Sequence, residues 1–309
     1  MASPKLRAFR ERVLYRLLVV ISAIGRRIPL CIGQFLGRRL GTLAWHVARR
    51  DRRKALANLA IAFPDWSDEK RNQTIRAMFQ HLGMCVFELA WMPNTTQESR
   101  ARLTVIEGLD RIMEIIDSGR GVVTFTAHCG NWEWLSYITG MCGRPVSVLQ
   151  RERDSPQMNR WITRLRAGGG VHTIDRGSGT SARDMIQAIR RGGMLAFVID
   201  QNIRTESVKV PFFGKGALTP IGPARIAIRT EAVAVAATIE RLPDGRHHVR
   251  FGEPIELRRN DDPVALTALV TLAIEEQIRR APEQWVWMHD RWRERPKWEM
   301  SADKSSAGE

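Results

Sequence analysis

The chain has 309 residues, of which 44% are hydrophobic and 26% are charged. That length is sufficient for one large globular domain with a sizeable core, and the composition excludes a disordered protein or a repeat array. Lys and Arg number 48 against 33 Asp and Glu, a formal net charge of +15. This balance favours an anionic partner: nucleic acid, anionic lipid headgroups or an acidic protein. The four cysteines have no metal-binding or disulfide spacing, which indicates free thiols.

The first predicted element is an apolar helix over residues 13–24, with basic residues on both sides and Arg16 within it. This run is shorter than the roughly 20 residues that a helix needs to cross a bilayer. Two interpretations remain: a helix lying on the membrane with its cations on the headgroups, or an ordinary core helix. We favour the first and predict a membrane-anchoring helix at residues 1–27.

The remaining chain divides into a helical part and an α/β part. Residues 28–92 have apolar side chains at helical spacing, and Pro64-Asp65 separates two helical pieces, the second beginning at Ser67. After Pro93, strand-like and helix-like runs alternate. The predicted strands are 103–106, 121–126, 145–149, 194–199, 208–212 and 233–239, and the predicted helices are 109–116, 132–141, 158–166, 182–189, 223–229 and 265–278. The alternation predicts an α/β fold with a mainly parallel central sheet flanked by helices. We predict one domain at 28–300, made of a helical part at 28–92 and an α/β core at 93–300. A disordered tail is predicted at 301–309.

A histidine and a carboxylate stand where the predicted strand 121–126 meets the next helix. Ligands bind at the carboxyl ends of strands in open α/β sheets, and His128 lies at such an end. Glu133 is about 140° from His128 on a continuous helix, so the two meet only if His128 precedes the helix. A carboxylate on one imidazole nitrogen fixes the tautomer of a catalytic base. The alternatives are a backbone-bonded turn histidine with Glu133 beside the positive helix terminus, or Cys129 as a nucleophilic thiol.

Four blocks of sequence, in order, carry a resemblance to a known family. They are His128-Cys-Gly-Asn-Trp-Glu133; Arg164-Leu-Arg166; Asp200-Gln201 with Val210-Pro-Phe-Phe-Gly214 and Thr219-Pro-Ile-Gly-Pro-Ala224; and Pro282-Glu-Gln-Trp-Val-Trp-Met-His289 with Arg291-Trp292 and Arg295-Pro296. Over about residues 30–298 the chain resembles the bacterial lipid A biosynthesis acyltransferases of lauroyl and myristoyl type, in the lysophospholipid acyltransferase superfamily. It departs from the family pattern at Ala281, Asp290 and Arg151-Glu-Arg153.

The resemblance implies a reaction and a set of site residues. The fold would be like that of glycerol-3-phosphate acyltransferase, and an acyl group would pass from an acyl carrier protein or coenzyme A thioester to a lipid hydroxyl at the cytoplasmic face of the inner membrane. No cofactor or metal is implied. His128 would be the general base paired with Glu133, and Asp200 a further acidic residue of the site. Arg164 is the first candidate and Arg166 the second for stabilising the oxyanion. The implied substrate contacts are Asn131, Arg166, Gln201, Phe212 and Phe213.

Several alternatives remain for the acceptor and for the function class. The acceptor is a lipid A precursor or another glycolipid or lysophospholipid, and the other classes are a basic nucleic-acid-binding protein and an inactive membrane scaffold. We expect a monomer whose partners are acyl carrier protein and anionic lipids, without nucleic acid. Trp285 and Trp287 are expected to pack internally, whereas Trp292 and Trp298 face the headgroups.

Overall fold

A computed structural model describes residues 4–151 and 155–294, with the backbone alone for residues 4–12 and 14. Some predicted features therefore lie outside the described residues, namely residues 1–3 of the predicted anchor, Glu152 and Arg153, the segment from Arg295 to Trp298 and the tail at 301–309.

Four helices form the first part of the chain: α1 (Pro4–Gly25), α2 (Leu30–Val47), α3 (Arg49–Ala62) and α4 (Asp68–Trp91). The Ser67 hydroxyl accepts a hydrogen bond from the Lys70 N–H at 3.2 Å, so α4 begins where the sequence predicts. The two-piece prediction misses a second break at Ala48, whose backbone (φ −82°, ψ 56°) leaves the helical region without any Pro or Gly.

The rest of the chain alternates between helices and strands. Its helices are α5 (Gln97–Leu103), α6 (Leu109–Asp117), α7 (Trp132–Gly140), α8 (Pro156–Gly168), α9 (Ser181–Arg190), α10 (Gly222–Thr230) and α11 (Pro263–Arg280). Its strands are β1 (Thr104–Glu107), β2 (Val122–Thr126), β3 (Val146–Arg151), β4 (Val171–Arg176), β5 (Met194–Val198), β6 (Ser207–Phe212), β7 (Lys215–Pro220), β8 (Val233–Arg241) and β9 (His247–Phe251). Short 3-10 turns at Met92–Asn94 and Pro282–Gln284 complete the described chain.

Seven strands form one sheet in the order β1-β9-β8-β2-β5-β3-β4. All pairs are parallel except β8 with β9, which confirms the α/β fold with a mainly parallel sheet. The sequence missed β4, β7 and β9. Strand β9 begins with His247 and His248, which are buried beside carboxylates, so its composition hides a core strand. The predicted strand at 208–212 belongs instead to a separate hairpin of β6 and β7.

Apolar side chains cover both faces of the sheet. On one face, helices α6, α7 and α8 bury residues such as Ile112, Trp134 and Leu165. On the other, α3, α4, α9, α10 and α11 bury residues such as Leu59 and Ile274. The sheet is therefore held as a rigid layer, and loops at the carboxyl ends of its strands have fixed starting points.

Candidate active site

The register of two neighbouring strands places His128 beside Asp200. Thr126 at the end of β2 pairs with Val198 at the end of β5, and the Ile199 N–H donates to the Thr126 carbonyl at 3.0 Å. His128 and Asp200 each follow two residues after these paired positions. Because the strands are parallel, both side chains emerge at the same edge of the sheet.

Asp200 holds His128 through both carboxylate oxygens. The imidazole Nδ1 lies 2.8 Å from Oδ1, and the His128 backbone N–H donates to Oδ2 at 3.0 Å. The indole N–H of Trp285 also donates to Oδ2, at 2.7 Å. The carboxylate of Asp200 is buried, whereas a quarter of the His128 side chain remains exposed. The arrangement fixes the ring and leaves Nε2 for a substrate.

Asp200 is an anion at neutral pH. Burial alone raises the pKa of a carboxyl group, but the His128 charge and the hydrogen bonds from His128 and Trp285 outweigh it. The pKa of Asp200 consequently falls to about 2. A permanent carboxylate on Nδ1 keeps a proton on that nitrogen and stabilises an imidazolium if one forms.

The expected contact between His128 and Glu133 is absent among the described residues. Glu133 lies in the first turn of α7 and forms a two-pronged ion pair with Arg166 of α8, with N···O distances of 2.6 and 2.8 Å. Arg166 also donates to the Gln150 side chain at 2.7 Å. The prediction that Glu133 orients His128 is wrong in geometry. The five-residue spacing indicated proximity along the chain but not the direction in which the carboxylate points.

The two candidate arginines of α8 point to different sides of the helix. Residues two apart on a helix differ by about 200° in direction. Arg166 faces inward to Glu133, whereas Arg164 is exposed to solvent. Of the two, only Arg166 lines the cavity, so the structure disfavours the expected order, and the oxyanion role itself stays a prediction.

Asn131 caps a helix and does not face a substrate. Its side-chain oxygen accepts the Trp134 N–H at 3.1 Å, and its amide donates to Glu88 of α4 at 2.7 Å. The residue is 1% exposed, so the expectation that it contacts a substrate is wrong. Asparagine is among the residue types that favour this capping position.

Glu88 is a buried carboxylate with several polar partners, and the sequence analysis missed it. Besides Asn131, it binds both terminal nitrogens of Arg241, the Gln34 amide at 2.7 Å and the ring of His247 at 3.4 Å. Burial opposes its ionisation, but Arg241 and His247 reverse the effect and hold the pKa of Glu88 well below its usual range. The only signal in the sequence was a carboxylate within an apolar helical run.

The aromatic residues predicted to contact substrate lie in the core. Phe212 and Phe213 are buried and pack among three tryptophans. These are Trp285, Trp287 and Trp292. The internal packing predicted for the first two is confirmed. Trp292 is also drawn inward, because its indole N–H donates to the Phe212 carbonyl at 3.3 Å and its ring lies 5.7 Å from the Phe212 ring. Gln201 is half-buried directly after Asp200, and its substrate contact stays a prediction.

An apolar cavity lies between the sheet and α7. Met194, Ala196 and Val198 of β5 line one wall of it. Its other walls come mainly from β2, β3 and α7, and its charged lining residues are Glu133 and Arg166. The Trp132 ring lines the cavity and also stands 5.0 Å from the His128 ring. One wall residue thus links the exposed imidazole to an apolar slot.

Comparison with known proteins places the chain in a family. The family model of bacterial lipid A biosynthesis acyltransferases matches residues 2–294. The chain belongs to this family. It is therefore an acyltransferase, and the resemblance noted in the sequence is confirmed.

Individual relatives of this family have related names. The chain is 30% identical over 281 residues to a lipid A biosynthesis palmitoleoyltransferase of Escherichia coli, covering 89% of each chain. It is 27% identical to a lauroyltransferase of the same organism over 87% of this chain and 88% of that one. It is also 24% identical to a phosphatidylinositol mannoside acyltransferase of Mycobacterium tuberculosis, covering 67% and 65% of the two chains.

The candidate site contains a cysteine that is poorly suited to nucleophilic attack. Cys129 follows His128 but is fully buried, and burial together with the charge of Asp200 raises the pKa of its thiol well above the usual value. A thiol held in its neutral form is a weak nucleophile. Within residues 4–151 and 155–294, no cluster of three or more His, Cys, Asp or Glu side chains has a metal-binding arrangement.

Proposed function

We propose that this acyltransferase transfers a fatty acyl group from the thioester of an acyl carrier protein to a hydroxyl of a lipid A precursor, with His128 as general base. The observation that carries the proposal is the imidazole fixed by Asp200 beside an apolar cavity. A hydrocarbon chain is matched by apolar walls, and the polar end of the cavity suits a thioester carbonyl.

The chemistry needs only groups that the chain supplies. His128 Nε2 takes the proton of the acceptor hydroxyl as its oxygen attacks the thioester carbon. The tetrahedral intermediate then collapses, the carbon–sulfur bond breaks, and the imidazolium returns the proton to the leaving thiolate. Asp200 stabilises that imidazolium. Glu133 acts by holding Arg166, whose remaining N–H groups stabilise the oxyanion.

The expected partners follow from charge and family. A formal net charge of +15 favours encounter with an acidic carrier protein and with anionic lipids. The relatives named for lipid A support a lipid A precursor as acceptor. A second acceptor class, a phosphatidylinositol mannoside or another glycolipid, is favoured by the mycobacterial relative. Mass spectrometry of total lipids with and without active enzyme distinguishes the two.

We place the enzyme as a monomer at the cytoplasmic face of the inner membrane, anchored by residues 1–27. Within the described residues, no helix has both the length and the apolarity needed for a membrane span. Leu17, Val20 and Ile24 of α1 are exposed, and Arg16, Arg26 and Arg27 are exposed around them. This arrangement supports a helix lying on the membrane.

The decisive experiment replaces the proposed base. His128→Ala should lower kcat for transfer from acyl carrier protein by roughly 10² to 10⁴, because general base catalysis is lost. Circular dichroism and thermal unfolding should match wild type. His172→Ala is the matched control, since His172 is exposed on β4. Near-normal turnover by His128→Ala would contradict the mechanism.

A further inference from the structure

Helix α2 presents its large apolar side chains to solvent and its small ones to the protein. The exposed set recurs at three- and four-residue spacing and comprises Ile32, Phe35, Leu36, Leu40, Leu43 and Val47. We call these six side chains the α2 face. The buried residues of the helix are Gly33, Gly37 and Gly41. This is the reverse of the pattern in a helix that packs its apolar side on a soluble core.

The glycines explain why the helix has this orientation. A β-carbon on Gly37 would overlap the carbonyl oxygen of Gly83 in α4, and one on Gly41 would overlap the Phe79 carbonyl. The two backbones therefore approach too closely for larger side chains between them. Small residues at the helix contact with large apolar residues outside are typical of helices that face lipid. The α2 face is consequently fixed outward by packing against α4.

The charges around the α2 face select its partner. Residues 26–54 contain nine Lys or Arg and one acidic residue, Asp51. Arg38, Arg39, Arg49 and Arg50 are exposed, and among the described residues none has a carboxylate partner. The Arg39 guanidinium lies 4.9 Å from the Phe35 ring, so the cation and the apolar surface occupy one side of the helix. Basic side chains bordering an apolar face suit anionic headgroups above acyl chains.

We propose that the α2 face inserts into the surface of an anionic phospholipid bilayer, making α2 a second membrane-binding helix besides α1. Self-association through the same face would bring two sets of unpaired arginines together, which like-charge repulsion opposes. The proposal rests on the proposed membrane location but not on the transfer chemistry. Insertion here would hold the enzyme against the membrane through an element packed along α4.

Vesicle co-sedimentation of the full chain tests the proposal with a matched pair of variants. Leu40→Gln with Leu43→Gln alters side chains that are 47% and 59% exposed in α2. The control is Leu269→Gln with Leu272→Gln, which alters two leucines of α11 that are each 51% exposed. Gln has a helix propensity close to that of Leu, so both helices should persist. Thermal unfolding verifies the folds.

The variants should differ on vesicles of phosphatidylethanolamine and phosphatidylglycerol. The α2 variant should partition roughly tenfold or more weakly than wild type, because two leucines no longer enter the acyl region. The α11 variant should bind as wild type does. On pure phosphatidylcholine vesicles, wild type itself should bind more weakly, since the arginines lose their anionic partner.

Three outcomes would overturn the proposal. The α2 variant could bind as strongly as wild type, both double variants could lose binding equally, or the lipid-free protein could form a dimer that only the α2 substitutions dissociate. The transfer chemistry is tested separately. The α2 variant should acylate an acceptor dispersed in detergent at the wild-type rate, whereas His128→Ala should bind vesicles normally and fail to transfer. Failure of one proposal therefore leaves the other measurable.

Discussion

At the scale of single residues, the carboxylate that matters most to His128 is Asp200. Sequence spacing favoured Glu133, five residues away, whereas Asp200 is 72 residues away and reaches the imidazole through the register of β2 and β5. A local pattern points to His128 as a candidate base, but the carboxylate that pairs with it is set by strand pairing. The indole of Trp285 adds a third donor to the same carboxylate, from the far end of the chain.

Asp200→Asn tests which carboxylate serves the base. The amide cannot accept from the ring N–H, the backbone N–H and the indole N–H as two carboxylate oxygens do, and it favours the wrong imidazole tautomer. We expect kcat to fall by roughly 10³ to 10⁴ while KM changes little. Steady-state kinetics with acyl carrier protein thioester measures both constants.

Two further variants make the Asp200 result interpretable. Asp117→Asn alters an exposed carboxylate at the end of α6, which pairs with Arg144 in the loop before β3, and should leave both constants unchanged. Glu133→Gln should lower kcat because it weakens the ion pair that positions Arg166. It should not alter the hydrogen bonds of the His128 imidazole. Wild-type kcat in Asp200→Asn, together with loss in Glu133→Gln, would restore Glu133 as the partner of His128.

At the scale of elements, the buried carboxylate Glu88 of α4 joins several segments of the chain. It links α4 to α2 through Gln34, to the start of α7 through Asn131, and to the last residue of β8 through Arg241. The turn that carries His128 ends at the cap supplied by Asn131. Glu88 therefore lies behind the site, where it touches no substrate-facing group but fixes the element that begins there.

Replacing Glu88 by Gln should destabilise the fold strongly. The Arg241 side chain is only 9% exposed, and without the carboxylate its charge is buried and uncompensated. We expect a loss of about 3–5 kcal/mol in the free energy of unfolding. Chemical denaturation followed by circular dichroism measures it. Glu69→Gln, on the exposed first turn of the same helix, should change it by less than about 0.5 kcal/mol.

A double variant separates the charge from the hydrogen bonds. Glu88→Gln with Arg241→Met removes both charges and keeps a side-chain oxygen for the Asn131 amide. It should recover a substantial part of the lost stability, because replacing a buried ion pair costs less than breaking it. If the double variant is no more stable than Glu88→Gln alone, the buried charge is not the cause.

The sequence predicts elements better than it predicts their contacts. Helices α6 to α11 and six strands, five in the sheet and β6 in the hairpin, follow from apolar periodicity, and the start of α4 follows from the Ser67 signal. The break at Ala48 has no such signal. Strand β9 was missed because its two histidines are polar residue types that are buried in the fold. The pairing of Glu133 with Arg166 depends on which face of α8 turns inward. Periodicity along one chain does not carry this information, because it is set by packing between distant segments.

At the scale of the whole molecule, the chemistry and the proposed membrane contact occupy different parts of the fold. The imidazole and cavity lie at the sheet and α7, whereas the exposed apolar side chains with neighbouring arginines lie on α1 and α2. Both helices pack on α4, which also supplies Glu88 behind the Asn131 cap. A single helix therefore connects the elements proposed to bind lipid with the element that begins the site.

If α1 and the α2 face bind the same bilayer, their losses should be separable and cumulative. Deleting residues 1–27 should shift the enzyme toward the soluble fraction but leave residual binding to anionic vesicles, because α2 keeps its contacts with α4 through Gly37 and Gly41. Adding Leu40→Gln and Leu43→Gln to the deletion should remove that residual binding. Fractionation of cells and vesicle co-sedimentation of the four proteins complete the cycle. Full release by the deletion alone would show that α1 carries the whole contact, and unchanged partitioning by all variants would place the contact on another surface.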